Sequence, residues 1–380
     1  MSALDYVIGP ALAQGHDVTL HAPAMFRREA ERRGIGFRRA GTNWTCDPAV
    51  QQAASEVWKE GGNGPFNRYV FGRLWPARAG AKARDLIAAW TRARPDLVIA
   101  ECSDLGAHLA ARVLRLPVFA ADNGLGPLLL DLWDTDIRPA LTGLYGRHGQ
   151  DAPPALPPLL VPAPLPWFYE TPPPAARTVR RGVAEHRRAL PGRPPRSPAS
   201  RPLVYVSLGT LTTAMPGLRA VVEGVYREII AALSGIDCDV IVSAGGLAEH
   251  LRDAEHLRDA GPRVKVVEHV PQPTLLRRVD LFVTHGGRAS LLDAVEGGTP
   301  VLGMGVLGDQ PDNVVAFARR GLGLALDLRA PREKIADAVT AVLATPHHAA
   351  AMDSAGAELS RLPPIDLTEL RDAASLRAGG

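Results

Sequence analysis

Short apolar runs alternate along this chain with stretches in which apolar residues recur every three or four positions. The short runs are typical of buried strands and the longer stretches of amphipathic helices. The predicted strands are 17–22, 35–37, 96–100, 117–121, 203–208, 240–243, 264–267, 281–284 and 301–304, and the clearest helices are 26–33, 81–91, 105–114, 218–233 and 332–343. Strands that alternate with helices predict an α/β protein with doubly wound parallel sheets.

A stretch rich in proline and arginine separates two such series. Residues 172–174 are all proline, and eight arginines lie between Arg177 and Arg201. This composition buries little apolar surface and favours an extended chain. Because 380 residues are enough for two α/β domains, we predict an N-terminal domain over 1–175, a linker over 176–201, a C-terminal domain over 202–365 and a tail over 366–380.

The most informative stretch is 281–293, with the sequence LFVTHGGRASLLD. Its apolar run ends at Gly286 and Gly287 and is followed by a helical pattern. A turn of this kind aims free backbone N–H groups and the positive end of a helix dipole at its ligand, which is usually an anion such as phosphate. Asp309 and Gln310 follow the next strand, so they are expected at the same sheet edge, and their side chains suit sugar hydroxyls.

Composition excludes several classes of function. Hydrophobic residues make up 46% of the chain and charged residues 22%, as in an ordinary globular protein. A net charge of +3 with scattered arginines does not predict a nucleic-acid surface. There is no apolar run of transmembrane length and no signal peptide, and Cys46, Cys102 and Cys238 have no metal-ligand spacing. We therefore expect a reduced, cytoplasmic protein that binds no nucleic acid and has no transmembrane segment.

An ordered series of motifs resembles the donor-binding signature of the family-one, GT-B-fold glycosyltransferases, in particular those of bacterial natural-product biosynthesis. The motifs are Val270-Pro271-Gln272, Asp280 to Gly287, Gly298-Thr299-Pro300 and Asp309 to Asn313. The resemblance implies two doubly wound, Rossmann-like domains with a cleft between them. It also implies a UDP- or dTDP-sugar as the donor and a hydroxyl of a lipophilic small molecule as the acceptor, with no metal and no separate cofactor.

The same resemblance assigns roles to the residues of the turn. His285 and the backbone of Gly286 and Gly287 would hold the diphosphate, helped by Ser290, which stands where the family usually has Thr. Ala289 replaces a usual Gly and therefore needs a negative φ. Thr210, in a Ser-x-Gly-Thr segment after a strand, would also approach the phosphates.

Other residues would hold the nucleoside and the sugar. Asp293 stands where a Glu usually binds both ribose hydroxyls, and Gln272 would touch the ribose or base from the opposite wall. His269 stands near the place of a Trp that stacks on the pyrimidine in many relatives. Asp309 and Gln310 would hydrogen-bond the sugar.

The start of the chain departs from the family pattern. Counting back from Gly15-His16, which matches a helix end, places the family's first strand and its general-base His at or before Met1. The chain is therefore expected to lack the first strand of its N-terminal domain, either through a false start codon or truncation or because it is a shortened, non-catalytic homologue. His16 more naturally caps its helix. Glu101, with Asp104 as its rival, stands where a carboxylate orients the catalytic His.

Two aromatic-rich stretches, 41–76 and 122–170, are candidate acceptor surfaces, although the same aromatic residues would equally pack a core under long loops. The implied reaction is displacement at the anomeric carbon with inversion. Three alternatives stay open: a catalytically inactive, nucleotide-sugar-binding paralogue or auxiliary protein, a GT-B epimerase, and an NAD-dependent dehydrogenase. The last is the least favoured, because no G-x-G-x-x-G follows a first strand.

Overall fold

The computed structural model describes residues 4–42, 47–181, 201–209, 216–253 and 263–378. The chain divides into two compact units, one formed by Met1–Ala184 with Arg361–Gly380 and the other by Glu185–Ser360. Strands pair in parallel in both units, with helices between successive strands. This confirms the α/β class that the apolar pattern predicts.

The sheet of the first unit is divided. Strands β1 (Thr19–Ala22) and β2 (Gly36–Arg39) pair with each other, and β3 (Val98–Glu101), β4 (Val118–Ala121), β5 (Leu159–Val161) and β6 (Arg177–Thr178) form a separate four-stranded sheet in that order. In both groups the register is parallel. Among the described residues no strand precedes β1. The expectation that the family's first strand would lie at or before Met1 stays a prediction.

Helices connect the strands of the first unit. They are α1 (Asp5–Ala13), α2 (Arg27–Arg32), α3 (Pro48–Gly61), α4 (Asn63–Asn67), α5 (Trp75–Arg92), α6 (Leu105–Val113), α7 (Gly126–Asp131) and α8 (Arg138–Gly146), with π-helical turns at Arg68–Leu74 and Trp133–Ile137 and 3₁₀ turns at Ala24–Phe26 and Leu165–Trp167. Helix α1 packs on both sheets, because Tyr6 and Val7 belong to the apolar cluster of the four-stranded sheet and Ile8 belongs to that of β1 and β2.

The aromatic-rich stretch before Pro76 is helical rather than irregular. Trp58, Phe66 and Phe71 lie on α3, α4 and the following π-helical turn, and each is at least 94% buried. They form part of the core. The expectation of long loops was wrong here. Glycines and asparagines, which favour turns, occupy helix ends such as Gly62 (φ 74°) and Asn63.

The second unit contains one six-stranded parallel sheet. Its strands are β7 (Leu203–Ser207), β8 (Asp239–Ser243), β9 (Val264–Val267), β10 (Leu281–Thr284), β11 (Val301–Gly303) and β12 (Gly323–Ala325), in the spatial order β12-β11-β10-β7-β8-β9. The first strand is central and the chain winds outward on both sides of it. In sheets of this order ligands bind beyond the carboxyl ends of the strands where the winding reverses, here beside β7 and β10.

The helices of the second unit cover both faces of this sheet. They are α9 (Arg219–Ser234), α10 (Ala248–Asp253), α11 (Gln272–Leu275), α12 (Arg288–Gly297), α13 (Gln310–Arg319), α14 (Arg332–Ala344) and α15 (Pro346–Ser360), with 3₁₀ turns at Pro216–Leu218 and Gly245–Leu247. Tyr226 of α9 fixes two strand ends: its hydroxyl accepts from Leu208 N and donates to Ser243 O, both at 2.9 Å.

The C-terminal segment belongs to the first unit. Its helix α16 (Leu367–Ala378) follows a turn where Gln14 donates to Ile365 O at 2.7 Å and accepts from Leu367 N at 3.1 Å. Leu367 and Leu370 join the apolar cluster of α1. Within the described ranges, no helix is both long and apolar enough to cross a lipid bilayer.

Candidate functional site

Three parallel strands of the second unit end in register. Ser207 of β7 pairs with Thr284 of β10, and Thr284 pairs with Gly303 of β11. The segments that continue beyond these ends therefore share one sheet edge. They carry Gly209, the turn from His285 to Gly287, and the loop that ends at Asp309. The motifs that the sequence singles out are thus neighbours along this edge.

The turn after β10 requires glycine at its second position. Gly286 has a φ of 83°, and a Cβ there would lie 2.2 Å from Val314 Cγ1 and 2.9 Å from Gln310 O. Thr284 Oγ1 accepts from Gly286 N at 3.3 Å, and Asn313 Nδ2 donates to Gly286 O at 3.2 Å. Packing against α13 and these two hydrogen bonds fix the turn.

Helix α12 begins at this turn without a side-chain cap. Its N-cap residue Gly287 provides no side chain, and the first turn holds no acidic residue. The positive end of the helix dipole therefore points beyond the sheet edge, which favours an anion. Ala289 is exposed in the first helical turn and is not among the residues with positive φ, so it meets the requirement for a negative φ. Ser290 is half-buried beside it.

The imidazole of His285 is enclosed by two glycines. A Cβ on Gly209 would lie 2.5 Å from its Nε2, and a Cβ on Gly287 would lie 2.6 Å from the same atom. Burial lowers the pKa of His285 to about 4, and a hydrogen bond with the Ser207 backbone opposes this only in part. The ring is therefore neutral at pH 7, and its one N–H is engaged by the Ser207 backbone.

A hydrogen-bonded cluster lies beside this turn. Gln272 Nε2 donates to Asp293 Oδ2 at 3.1 Å and to Ser290 Oγ at 3.3 Å, and Gln272 Oε1 accepts from Tyr205 OH at 3.3 Å. Asp293 is only 6% exposed. Three residues predicted to bind the donor are thus in direct contact. Tyr205 was not predicted, although its place on a strand that ends at the site could have indicated it.

Asp309 and Gln310 occupy the start of α13. Asp309 Oδ2 accepts from Asn313 Nδ2 at 2.5 Å. Gln310 is buried, and its Oε1 accepts from Val306 N at 3.2 Å and from Leu307 N at 3.1 Å. The carboxamide oxygen of Gln310 therefore closes the loop after β11. Asn313, which the sequence analysis quoted only as part of the motif, links this loop to the glycine turn.

One predicted donor residue, His269, lies apart from these contacts. His269 is exposed after β9, the edge strand of the sheet, and no described hydrogen bond joins it to the cluster. Thr210 lies outside the described residues.

In the first unit, Glu101 ends β3 and is half-buried. Burial raises the pKa of its carboxyl, and Asp104 adds to this, whereas Lys82 and a hydrogen bond with Asn123 oppose it. Asp104, the rival carboxylate, forms an ion pair with Lys82 and caps α6 by accepting from Ala107 N at 3.2 Å. Asp104 is therefore engaged structurally. His108 hydrogen-bonds to the backbone of Glu101, but among the described residues no histidine bonds to its carboxyl group.

The end of α1 explains the Gly15-His16 pair. Gly15 has a φ of 76°, and His16 N donates to Ala11 O at 3.0 Å. The backbone of His16 thus caps the helix. In the part of the chain that the structure describes, no group of three or more His, Cys, Asp or Glu side chains could hold a metal ion.

Comparison with known proteins places these features in context. Residues 196–361 match the family model described as UDP-glucoronosyl and UDP-glucosyl transferase. Over 320 residues the chain is 28% identical to elloramycin glycosyltransferase ElmGT of Streptomyces olivaceus, a match that covers 80% of this chain and 72% of that protein.

Solved structures show the same fold at low identity. The spinosyn rhamnosyltransferase SpnG, solved also in complexes with thymidine diphosphate and with spinosyn aglycone, has a TM-score of 0.72 at 18% identity over 100% of this chain and 96% of its own. The glycosyltransferase VinC in complex with dTDP has a TM-score of 0.72 at 20% identity, covering 99% of this chain and 96% of its own.

Proposed function

We propose a function on the basis of the GT-B fold and of the match of residues 196–361 to the UDP-glucoronosyl and UDP-glucosyl transferase family model. It is a glycosyltransferase of the family-one type. We infer that it transfers a hexose or deoxyhexose from a UDP- or dTDP-sugar to a hydroxyl of a lipophilic small molecule, with inversion at the anomeric carbon.

The observation that carries this proposal is the shared edge of β7, β10 and β11. The start of α12, which no side chain caps, offers backbone donors for a diphosphate without a metal ion, and His285 lies between Gly209 and Gly287 at the same turn. The leaving diphosphate gains negative charge as its bond to the sugar breaks. Donors that are already in place stabilise that charge more in the transition state than in the ground state.

The cluster of Gln272, Ser290 and Asp293 supports a nucleoside site beside the diphosphate. The buried carboxylate of Asp293 accepts hydrogen bonds, as ribose hydroxyls require, and Gln272 holds it in place at 3.1 Å. On the other side of the turn Asp309 and the amide nitrogen of Gln310 are the groups for the sugar hydroxyls. His269 and Thr210 are secondary donor contacts in this proposal.

Transfer with inversion needs a base that takes the acceptor proton while the acceptor oxygen attacks the anomeric carbon and the diphosphate leaves. We assign to Glu101 the role of the carboxylate that orients a catalytic imidazole. Its place at the carboxyl end of β3 and its raised pKa support this role. The similarity to the elloramycin and spinosyn enzymes supports a natural-product acceptor.

The experiment incubates the protein with UDP-glucose, dTDP-glucose or dTDP-rhamnose and a panel of aromatic polyketide and macrolide aglycones. Release of UDP or dTDP is measured, and the anomeric configuration of the product is read by NMR coupling constants. We expect release that depends on the acceptor and a product of inverted configuration.

Calorimetric titration with UDP and dTDP separates binding from turnover. Nucleotide binding without transfer to any acceptor, in this chain and in a form extended with any in-frame upstream residues, would support the inactive paralogue instead. Conversion of the donor sugar without an acceptor would support an epimerase. Absence of binding to both nucleotides would overturn the proposal.

A further inference from the structure

The first unit contains a cavity of 580 Å³ between helix α6 and the proline-rich segment 153–158. Leu105, His108 and Ala111 line it from α6, Trp133 and Tyr145 line it from the π-helical turn and α8, and Leu116 to Val118 close it at the start of β4. The start of β4 is the end of the sheet opposite to the strand end that carries Glu101. The lining of the cavity is therefore distinct from the side chains assigned to sugar transfer, and His108 meets Glu101 at its backbone.

The cavity holds one buried polar side chain with unused hydrogen-bonding capacity. His108 is 5% exposed; one ring nitrogen hydrogen-bonds to the backbone of Glu101, and the other has no partner. Burial lowers the pKa of His108 to about 4, so at pH 7 the ring is neutral and its second nitrogen is an unused acceptor. A buried polar group without a partner destabilises a fold, and core histidines are normally paired. A ligand atom that hydrogen-bonds to this ring would remove that cost.

Two cations stand at the mouth of the same cavity. Arg112 and Arg115 both line it and both are exposed; Arg112 follows His108 by one turn of α6, and Arg115 lies just beyond the end of that helix. Among the ion pairs of the described residues neither guanidinium has a carboxylate. Arg115 has a φ of 49°, a backbone conformation that glycine adopts more readily than arginine. The chain thus carries an arginine at a position whose backbone conformation favours glycine.

We propose that this cavity is a second small-molecule site that takes a lipophilic hydroxy acid. The rings or chain of the ligand lie against Leu105, Trp133 and the prolines, its hydroxyl bonds to His108, and its carboxylate pairs with Arg112 and Arg115. The volume lies within the range of ligand pockets, about 300–1,000 Å³. Segment 153–158 is held in place by a hydrogen bond of 3.2 Å from Trp133 Nε1 to Pro153 O. This proposal does not depend on the proposed transfer reaction.

The test uses 6-hydroxy-2-naphthoic acid, which carries a hydroxyl and a carboxylate at opposite ends of an apolar body. Binding to the full chain is measured by calorimetry without any sugar donor, beside 2-naphthoic acid, which lacks the hydroxyl, and 2-naphthol, which lacks the carboxylate. For the wild-type protein we expect one-to-one binding that weakens about tenfold when either group is removed.

Matched variants assign each contact. In His108→Leu the two acids should bind equally, because the partner of the hydroxyl is gone. In Arg112→Gln/Arg115→Gly, where glycine suits the backbone at 115, the hydroxy acid should bind no better than 2-naphthol. Arg28→Gln, an exposed arginine on α2, should bind as the wild type does.

Thermal unfolding of each variant shows that it is folded before binding is compared. Binding of the hydroxy acid weaker than about 1 mM, or a preference for it that survives in His108→Leu, would overturn the proposal. The second outcome would mean that the probe occupies another site.

Discussion

Gln272 and Asp293 belong to different helices, yet Nε2 of Gln272 lies 3.1 Å from Oδ2 of Asp293. Asp293 is almost fully buried, so its carboxylate needs such donors. The same amide reaches Ser290 Oγ, and the oxygen of the amide accepts from Tyr205 OH. The start of α11 is thereby joined to the first turns of α12. A ribose that enters here meets a carboxylate already oriented by protein groups.

Substitutions of Asp293 test this arrangement. Asp293→Ala removes a charged hydrogen-bond acceptor, and we expect affinity for UDP or dTDP to fall about 10- to 100-fold. Asp293→Glu restores the longer carboxylate that the resembled family has, so we expect affinity equal to or higher than that of the wild type. Calorimetric titration measures both values.

Asp337→Asn is the matched control, because Asp337 is an exposed acidic residue on α14. Its affinity for nucleotide should equal that of the wild type. If Asp293→Ala binds nucleotide as tightly as this control does, Asp293 has no contact with the ribose.

The second prediction concerns the two glycines Gly286 and Gly308. Both have positive φ, 83° and 65°, but a Cβ on Gly286 would overlap Val314 whereas a Cβ on Gly308 would meet nothing within 4 Å. We expect Gly308→Ala to cost about 1–2 kcal/mol of unfolding free energy through the backbone alone. Gly286→Ala should cost about 1–3 kcal/mol more and abolish nucleotide binding, because the turn must move away from α13.

Urea denaturation and nucleotide titration of both variants measure these effects. The double variant Gly286→Ala/Val314→Ala should recover part of the lost stability, because the nearest overlapping methyl groups are absent. Equal destabilisation by the two single substitutions would show that packing against Val314 does not constrain the turn.

Most of the fold of the second unit could be predicted from the sequence. The run 281–284 and the strand 264–267 have the predicted bounds. The run 281–284 is continuously apolar because both of its faces are buried, whereas the edge strand 264–267 has an exposed Lys265 between two buried valines. The neighbourhood of His285 and Asp309 followed from the rule that parallel strand ends share an edge.

Side-chain partners could not be predicted in the same way. Gln310 resembles a residue that binds sugar, but its oxygen accepts from two backbone N–H groups of its own loop. The contact of Tyr205 with Gln272 joins positions 67 residues apart. The division of the first unit's strands into two sheets depends on which strands pair with each other. Apolar periodicity reports which face is buried and not which polar atoms meet there.

Two substitutions separate the structural role of Gln310 from its proposed role in binding. Gln310→Glu keeps an oxygen for Val306 N and Leu307 N but loses the amide donor. We therefore expect nearly unchanged stability and a weaker interaction with the sugar, seen as a raised KM for the nucleotide-sugar and an unchanged Kd for the free nucleotide. Gln310→Ala should in addition lower the unfolding free energy by about 1–3 kcal/mol, because two buried N–H groups lose their acceptor.

Steady-state kinetics, calorimetry and denaturation separate these outcomes. A weaker Kd for UDP or dTDP in Gln310→Glu would contradict a role confined to the sugar.

Glu101 and Asp104 should behave in opposite ways when their charge is removed. The pKa of Glu101 is raised, so the folded protein loses stability as pH rises above the value of the unfolded chain and the buried carboxyl ionises. Glu101→Gln should therefore be at least as stable as the wild type at pH 7, while kcat falls about 10²-fold or more. Asp104→Asn should be less stable, because it loses the ion pair with Lys82.

Measuring kcat against pH adds a test of the carboxylate. In the wild type the rate should fall on the acid side as Glu101 takes a proton, and this limb should be absent in Glu101→Gln. A variant with full kcat would remove Glu101 from the mechanism.

The last prediction follows from the buried imidazole of His108. Its pKa is about 4 in the folded protein and about 6.5 in the unfolded chain, so the unfolded chain takes up the proton first as pH falls. Stability that is present above pH 6.5 is therefore lost progressively down to pH 4. His108→Leu should be more stable than the wild type at pH 7, and its advantage should grow by about 2 kcal/mol at pH 5. His250→Gln, on the exposed side of α10, should leave the dependence of the unfolding free energy on pH unchanged.

Urea denaturation measures this slope of unfolding free energy against pH. If the wild type and His108→Leu have the same slope between pH 7 and pH 5, the imidazole has a further partner in solution. A ligand retained through purification would produce that result, and removing it by refolding should restore the predicted slope.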